Sequence, residues 1–218
     1  MNYLHQQNTK LIVFDLDGTI ADTSGGILDA HKYTLSTMGR QVPTDRELYK
    51  LIGGNLLEIY INCFGFTDEE AREAVKIYRE RYAVKGIHMA SLYTGIADML
   101  KELRKRGYLV GMATLKAEKF ANIILSENSI LKYFNAVCGM DLDDSLNKAE
   151  LVHRCVYLCN STEEKTILIG DSESDRKGAE RADVRFLGVT YGYGFGEGIN
   201  YEFETVNSVN ELKRKIIW

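Results

Sequence analysis

The chain has a single proline in 218 residues, Pro43, and neither an internal repeat nor a low-complexity tract, which excludes proline-rich and repeat architectures. No apolar run approaches the roughly 18 residues that a membrane span needs. Met1 to Lys10 is polar and lacks the apolar core of a secretory signal, so a cytoplasmic protein with no membrane partner is expected. The four cysteines, Cys63, Cys138, Cys155 and Cys159, form no Cys-x-x-Cys pair, and the four histidines have no zinc spacing. Cys155 and Cys159 share one face of an expected helix and read as buried, reduced thiols. Positive charge is not in excess: 27 Lys and Arg against 31 Asp and Glu leave a net charge of −4. That balance gives no reason to expect a nucleic acid polymer or an anionic membrane as partner. What remains, 45% hydrophobic and 27% charged residues, suits one large globular domain or one domain carrying an insertion.

The stretch around which the chain is organised is Leu11-Ile12-Val13-Phe14-Asp15-Leu16-Asp17-Gly18-Thr19. Four consecutive apolar residues read as a strand buried on both faces, as in a parallel sheet. Asp15 and Asp17 stand at its carboxyl end, where open α/β sheets bind ligands. A period of two points both side chains to the same side. Gly18 allows a sharp turn there.

From Thr19 to about residue 88 the spacing is helical. Ile27, Leu28, His31, Leu35 and Met38 make one helix face, stopped by Gly39. Pro43 marks a turn, Gly53-Gly54 interrupts the next stripe, and Thr67 with Glu70 reads as a capping box. Ala71, Val75, Tyr78 and Tyr82 form the stripe of the helix that follows. Helices and strands then alternate. Strands are expected at 108–113, ending in Thr114, at 136–138, at 166–169, running into Gly170-Asp171, and at 186–189. A closing helix is expected over Asn210 to Ile217, with Asn210 as its N-cap. The fold class is therefore α/β, a doubly wound parallel-sheet core of Rossmann type, with an all-helical unit inserted after its first strand. The boundaries are 1–22 and 91–218 for the core and 23–90 for the helical unit.

Three of these strands end in chemistry-bearing residues: Asp15 and Asp17, then Thr114, then Asp171 with Asp175 close behind. Lys148 sits just before a helix. Parallel strand ends converge on one crevice, so these groups meet although they are far apart in sequence. Four carboxylates against one ammonium leave the site strongly negative. Two like charges about 4 Å apart repel by roughly 4 kcal/mol at an effective dielectric of 20. A hard divalent cation with oxygen ligands, Mg²⁺ first, would relieve this. The loop Tyr191-Gly192-Tyr193-Gly194-Phe195-Gly196-Glu197-Gly198 opens no helix and reads as a loop rimming the site rather than a dinucleotide fingerprint. Lys85 and His88 lie near the return to the core, within reach of a closed site.

Phe14-Asp15-Leu16-Asp17-Gly18-Thr19, then Thr114, then Lys148, then Gly170-Asp171-Ser172-Glu173-Ser174-Asp175 resemble the four motifs of the haloacid dehalogenase superfamily, in its order. The helical insert after the first motif resembles the type-one cap of the phosphoglycolate phosphatase-like branch, and the likeness spans nearly the whole chain. The resemblance implies a Mg²⁺-dependent phosphatase acting on a small phosphorylated metabolite, as a monomer or homodimer. Asp15 would be the nucleophile and form an aspartyl phosphate, and Asp17 the acid that protonates the leaving oxygen and later activates water. Thr114 and Lys148 would hold phosphate oxygens, helped by backbone N–H groups over Leu16, Asp17 and Gly18. Asp15 and Asp171 would bind the metal together with the backbone carbonyl of Asp17, Asp175 supporting them. A carboxylate at position 17 fits release of an alcohol from a phosphate monoester. It also fits a sugar phosphomutase, while a catalytically silent phosphate-binding regulator would be expected to have lost a motif residue. Two segments depart from the family pattern. Leu115 follows Thr114 where many relatives have a polar side chain, so phosphate contact there falls to the backbone. Gly53, Gly54 and Asn55 replace a proline-bearing cap turn, which makes them candidate determinants of substrate specificity.

Overall fold

The computed structural model describes residues 9–141 and 145–217. Six strands form one parallel sheet: β1 (Leu11–Phe14), β4 (Leu109–Ala117), β5 (Ala136–Met140), β6 (Thr166–Gly170), β7 (Arg185–Val189) and β8 (Thr205–Val206). Their spatial order is β5-β4-β1-β6-β7-β8. All pairs are parallel, and β1 is central, flanked by β4 and β6. Burial on both faces explains the unbroken apolar run of β1. Ile12 and Phe14 join one hydrophobic cluster with α5 (Ile96–Lys105), α6 (Glu118–Glu127) and α9 (Val209–Ile217). Leu11 and Val13 join a second cluster, on the other face, with α7 (Lys148–Leu158) and α8 (Glu173–Arg181). The sheet is thus doubly wound, and the connections run in opposite directions from β1, which makes its carboxyl end the switch point.

The helical stretch holds α1 (Ser24–Thr37), α2 (Asp45–Tyr49), α3 (Leu56–Phe64) and α4 (Asp68–Val84). It is bracketed by two short strands, β2 (Ala21–Asp22) and β3 (Ser91–Leu92), which pair antiparallel with Ala21 opposite Leu92 and Asp22 opposite Ser91. The chain therefore leaves the sheet for the helical stretch and returns to it through one small ribbon. Thr67 and Glu70 form the expected capping box on α4. α1 and the 3₁₀ turn Gly86–Met89 approach so closely that a Cβ on Gly26 would collide with the Gly86 carbonyl oxygen. His31 is buried among Tyr60, Phe64 and Tyr78, with Nδ1 3.1 Å from the Tyr60 hydroxyl. Burial pushes its pKa down to about 4, so it is neutral. Among the described residues no helix is long and apolar enough to cross a membrane.

Two local expectations are corrected. The last helix begins at Val209, and its cap is Ser208, whose Oγ accepts from the Glu211 N–H at 3.2 Å, so Asn210 lies inside the helix. β4 does not stop at Ala113: it runs to Ala117, with its register against β5 shifting between Thr114 and Ala117. That irregularity, a bulge, re-aims the side chains beyond Thr114.

Candidate active site

β4, β1 and β6 are neighbours, so their carboxyl ends bring Thr114, Asp15 and Asp171 side by side. All three are buried. Asp15, Asp171 and Asp175 each offer one carboxylate oxygen, and these oxygens lie within 4.8 Å of one another. Lys148 reaches the cluster as the first residue of α7, one position further into the helix than expected. Asn147 caps that helix by accepting from the Glu150 N–H. The Lys148 ammonium is 2.7 Å from Asp15 Oδ1 and 2.7 Å from Asp175 Oδ1, and it donates to the Ala113 carbonyl at 3.0 Å. Asp175 also closes a capping box with Ser172 at the start of α8.

One ammonium does not balance three buried carboxylates. Burial, opposed by Lys148 and reinforced by Asp175 and Asp17, pushes the Asp15 pKa up to about 7. Burial and the charges of Asp175 and Asp15 hold Asp171 well above the usual carboxylate range, although it accepts from the N–H groups of Tyr193 and Gly194. The donors are all hard oxygens and the missing charge is positive, so the cluster fits a divalent cation such as Mg²⁺. Gly18, at φ +79°, lies against this centre, and a Cβ there would meet Asp171 Oδ2 at under 3 Å.

The Asp17 carboxylate is turned away from that cluster. It accepts from the Thr23 hydroxyl and pairs with the Lys116 ammonium at 2.9 Å. Any contact of Asp17 with a cation in the cluster is therefore left to its backbone. The Gly18 N–H donates to the Ala21 carbonyl at 3.0 Å, closing the turn, so it is not available to an anion as sequence reasoning expected. Asp15, Asp17, Thr114, Leu115, Gly53 and Gly54 line one cavity between sheet and helices, together with Arg79, Tyr78, Tyr82, Lys116 and Phe120. The cavity is narrow, with a volume of about 40 Å³. Asn55 is not part of it. Its side chain caps α3 by accepting from the Glu58 N–H, and it faces a neighbouring cleft that Lys148 and Lys177 also line. Lys85 and His88 are engaged elsewhere, with Asp29 and Glu127.

Lys116 and Thr23 carry no signal in the sequence reading, and Tyr193 enters it only as part of the loop 191–198 expected to rim the site, where its N–H meets Asp171. Asp17 and burial act oppositely on Lys116, and the net effect raises its pKa, so it is a buried cation. A strand continued to position 116 would have put Lys116 on the same side as Thr114. Tyr193 has no periodic signal. Its hydroxyl donates to Asp22 Oδ1 at 2.7 Å and accepts from the Thr23 N–H at 2.7 Å. The same residue thus ties Asp171, through its backbone, to the end of β2.

Residues 12–189 match the family model of the haloacid dehalogenase-like hydrolases. A 5'-nucleotidase of Pseudomonas aeruginosa is 35% identical over 84% of this chain and 83% of its own length. The tyrosine-protein kinase PtkA of Mycobacterium tuberculosis is 30% identical over 96% of this chain and 73% of its own. Phosphoglycolate phosphatases are among the further relatives, that of Vibrio parahaemolyticus being 27% identical over 95% of this chain and 96% of its own. The crystal structure of a predicted phosphatase from Clostridium acetobutylicum superposes with a TM-score of 0.88 at 34% identity, covering 95% of this chain and 97% of that one.

Proposed function

The chain belongs to the haloacid dehalogenase-like hydrolases, in the phosphoglycolate phosphatase-like branch, and from that premise we propose that it is a Mg²⁺-dependent phosphatase of small phosphomonoesters. The observation that carries this reading is the buried set of Asp15, Asp171 and Asp175 beside a cavity into which Asp17 also faces. Small phosphorylated compounds are what the names of the 5'-nucleotidase and phosphoglycolate phosphatase relatives point to.

Asp15 is the nucleophile. One of its oxygens bonds to phosphorus as the bond to the leaving oxygen breaks, giving an aspartyl phosphate. Asp17 protonates that oxygen, which departs as an alcohol, and then takes a proton from the water that hydrolyses the intermediate. Thr114 and Lys148 hold phosphate oxygens, and Lys148 also offsets charge on Asp15. The N–H groups of Leu16 and Asp17 and the backbone of Leu115 supply further anion contacts. Asp15, Asp171 and the carbonyl of Asp17 would hold Mg²⁺, with Asp175 fixing Lys148 beside them. Bound there, the ion would cancel phosphate charge and polarise the transferring group. Residues 23–90 act as a cap over the core of residues 1–22 and 91–218, opening to admit substrate and closing to exclude water. Gly53 and Gly54 face the leaving group.

Phosphate release from a panel of phosphomonoesters tests this, with phosphoglycolate, nucleoside monophosphates and sugar phosphates included. Release is expected to need Mg²⁺ and to fall by at least about a thousandfold in Asp15→Asn, in line with loss of a nucleophile. Equal release by the variant would overturn the assignment.

A further inference from the structure

Asp17 is held from two directions. The Lys116 ammonium lies 2.9 Å from Asp17 Oδ1 and 3.2 Å from Oδ2, so it spans both oxygens of the carboxylate. Thr23 donates its hydroxyl to Oδ1. Lys116 comes from the bulged end of β4, in the core, whereas Thr23 is the residue that leads from β2 into α1. The Lys116 ammonium also sits 4.5 Å from the centroid of the Tyr82 ring, which α4 carries in from the helical unit. Both Lys116 and Asp17 are more than nine-tenths buried. Buried, the ammonium depends on its oxygen partners and on a polarisable cover. Here the partners are the two Asp17 oxygens, before and after the proton is given up, and part of the cover is Tyr82, so the arrangement is complete only with α4 against the sheet.

We propose that Lys116 is the positioning residue for Asp17, fixing its carboxylate against the leaving oxygen when the helical unit is closed and neutralising the charge that remains there once the proton has gone. This rests on the phosphatase reading. In the step concerned, the Asp15 oxygen bonds to phosphorus and the bond to the leaving oxygen breaks, its electron pair staying on that oxygen. The oxygen takes the Asp17 proton and departs as an alcohol, and the Asp17 carboxylate is left paired with Lys116. Thr23 and Lys116 together remove the rotational freedom of Asp17, so the proton is delivered from one direction. A purely structural ion pair would stabilise the protein without regard to the leaving group. A positioning residue for the acid matters in proportion to how much the leaving group needs a proton.

The test compares kcat/KM, which reports the steps up to loss of the leaving group, for p-nitrophenyl phosphate and phenyl phosphate in saturating Mg²⁺. The two probes share a ring, but only phenol leaves poorly without a proton. Lys116→Met is expected to lower kcat/KM for phenyl phosphate by at least about tenfold more than for p-nitrophenyl phosphate, within the range of general acid catalysis. Lys116→Arg should restore most of the native ratio. Tyr82→Leu, which keeps every charge, should shift the ratio in the same sense and to a smaller extent. Equal losses on both probes in Lys116→Met overturn the proposal. If that variant does not fold, an unchanged ratio in Tyr82→Leu overturns it. Phosphate release that is missing in the native protein, or that survives in Asp15→Asn, is a different result and sinks the phosphatase reading itself.

Discussion

A carboxylate buried beside two others holds its proton far longer than one in water, and this gives the metal-free protein a recognisable pH signature. Asp15 in the folded chain keeps its proton up to about 7, against 3.8 as the ordinary value, and Asp171 is shifted in the same direction. Between those limits the folded state binds more protons than the unfolded state. The contribution of these residues is therefore full at the acid end and is lost as pH rises through about 7. His31 works in the opposite sense: held down to about 4, it favours the folded state increasingly as pH rises to 6.5. Mg²⁺ leaves His31 untouched but replaces the protons on the carboxylates. The urea midpoint in Mg²⁺ should accordingly exceed that in EDTA by a margin that widens from about pH 5 to about pH 7.5. Asp171→Asn should shrink the margin. A margin independent of pH would contradict the assignment of these carboxylates to a cation.

At the scale of single elements, the ribbon of β2 and β3 and the bulge of β4 decide how the site is framed. Neither leaves a periodic trace, because two-residue strands and a slipped register are too short for a period to register. This is why Lys116 and Thr23 escaped notice while the long runs of β1 and β6 were legible outright. The Asn210 cap failed for a related reason: Ser208 and Asn210 are both good capping residues, and only packing of Val209 selects between them. The ribbon's anchor, the Tyr193 hydroxyl, can be tested directly. Tyr193→Phe leaves the Thr23 N–H without its acceptor and should cost about 1–3 kcal/mol. The Thr23 and Ser24 amides should exchange with solvent faster than in the native protein, those of β1 unchanged. Unaltered exchange at both amides would show that the hydroxyl does not hold the ribbon. A second contact is steric. Gly26→Ala would drive a methyl into the Gly86 carbonyl and is expected to lower stability by about 1–3 kcal/mol in denaturant unfolding.

For the molecule as a whole, alternation of helix and strand was enough to read five of the six sheet strands, the two-residue β8 being too short to show, and the polar strand ends were enough to bring Asp15, Thr114 and Asp171 side by side. What the sequence did not disclose is which side chains the helices press onto the strand ends, since that depends on how α4 lies across them. Lys116 under Tyr82, and Arg79 donating to the Asp141 carbonyl at 3.3 Å, are contacts of this kind. Movement of the helical unit as a body predicts two tiers of amide exchange, with α1, α3 and α4 faster than β1, β4 and β6. Lys116→Met should speed exchange in α4 and leave the sheet unaffected, whereas uniform acceleration would mean that the unit does not move separately. The central place of β1 has a consequence for synthesis. Leu11 pairs with Leu109 on one side and with Thr166 on the other. Its apolar run leaves the ribosome ahead of both neighbours, with no partner until β4 emerges and no second one until β6 does. The helices between can form from local contacts meanwhile, yet the core must wait, so its assembly is slow and its first strand is the segment most exposed to aggregation on the way.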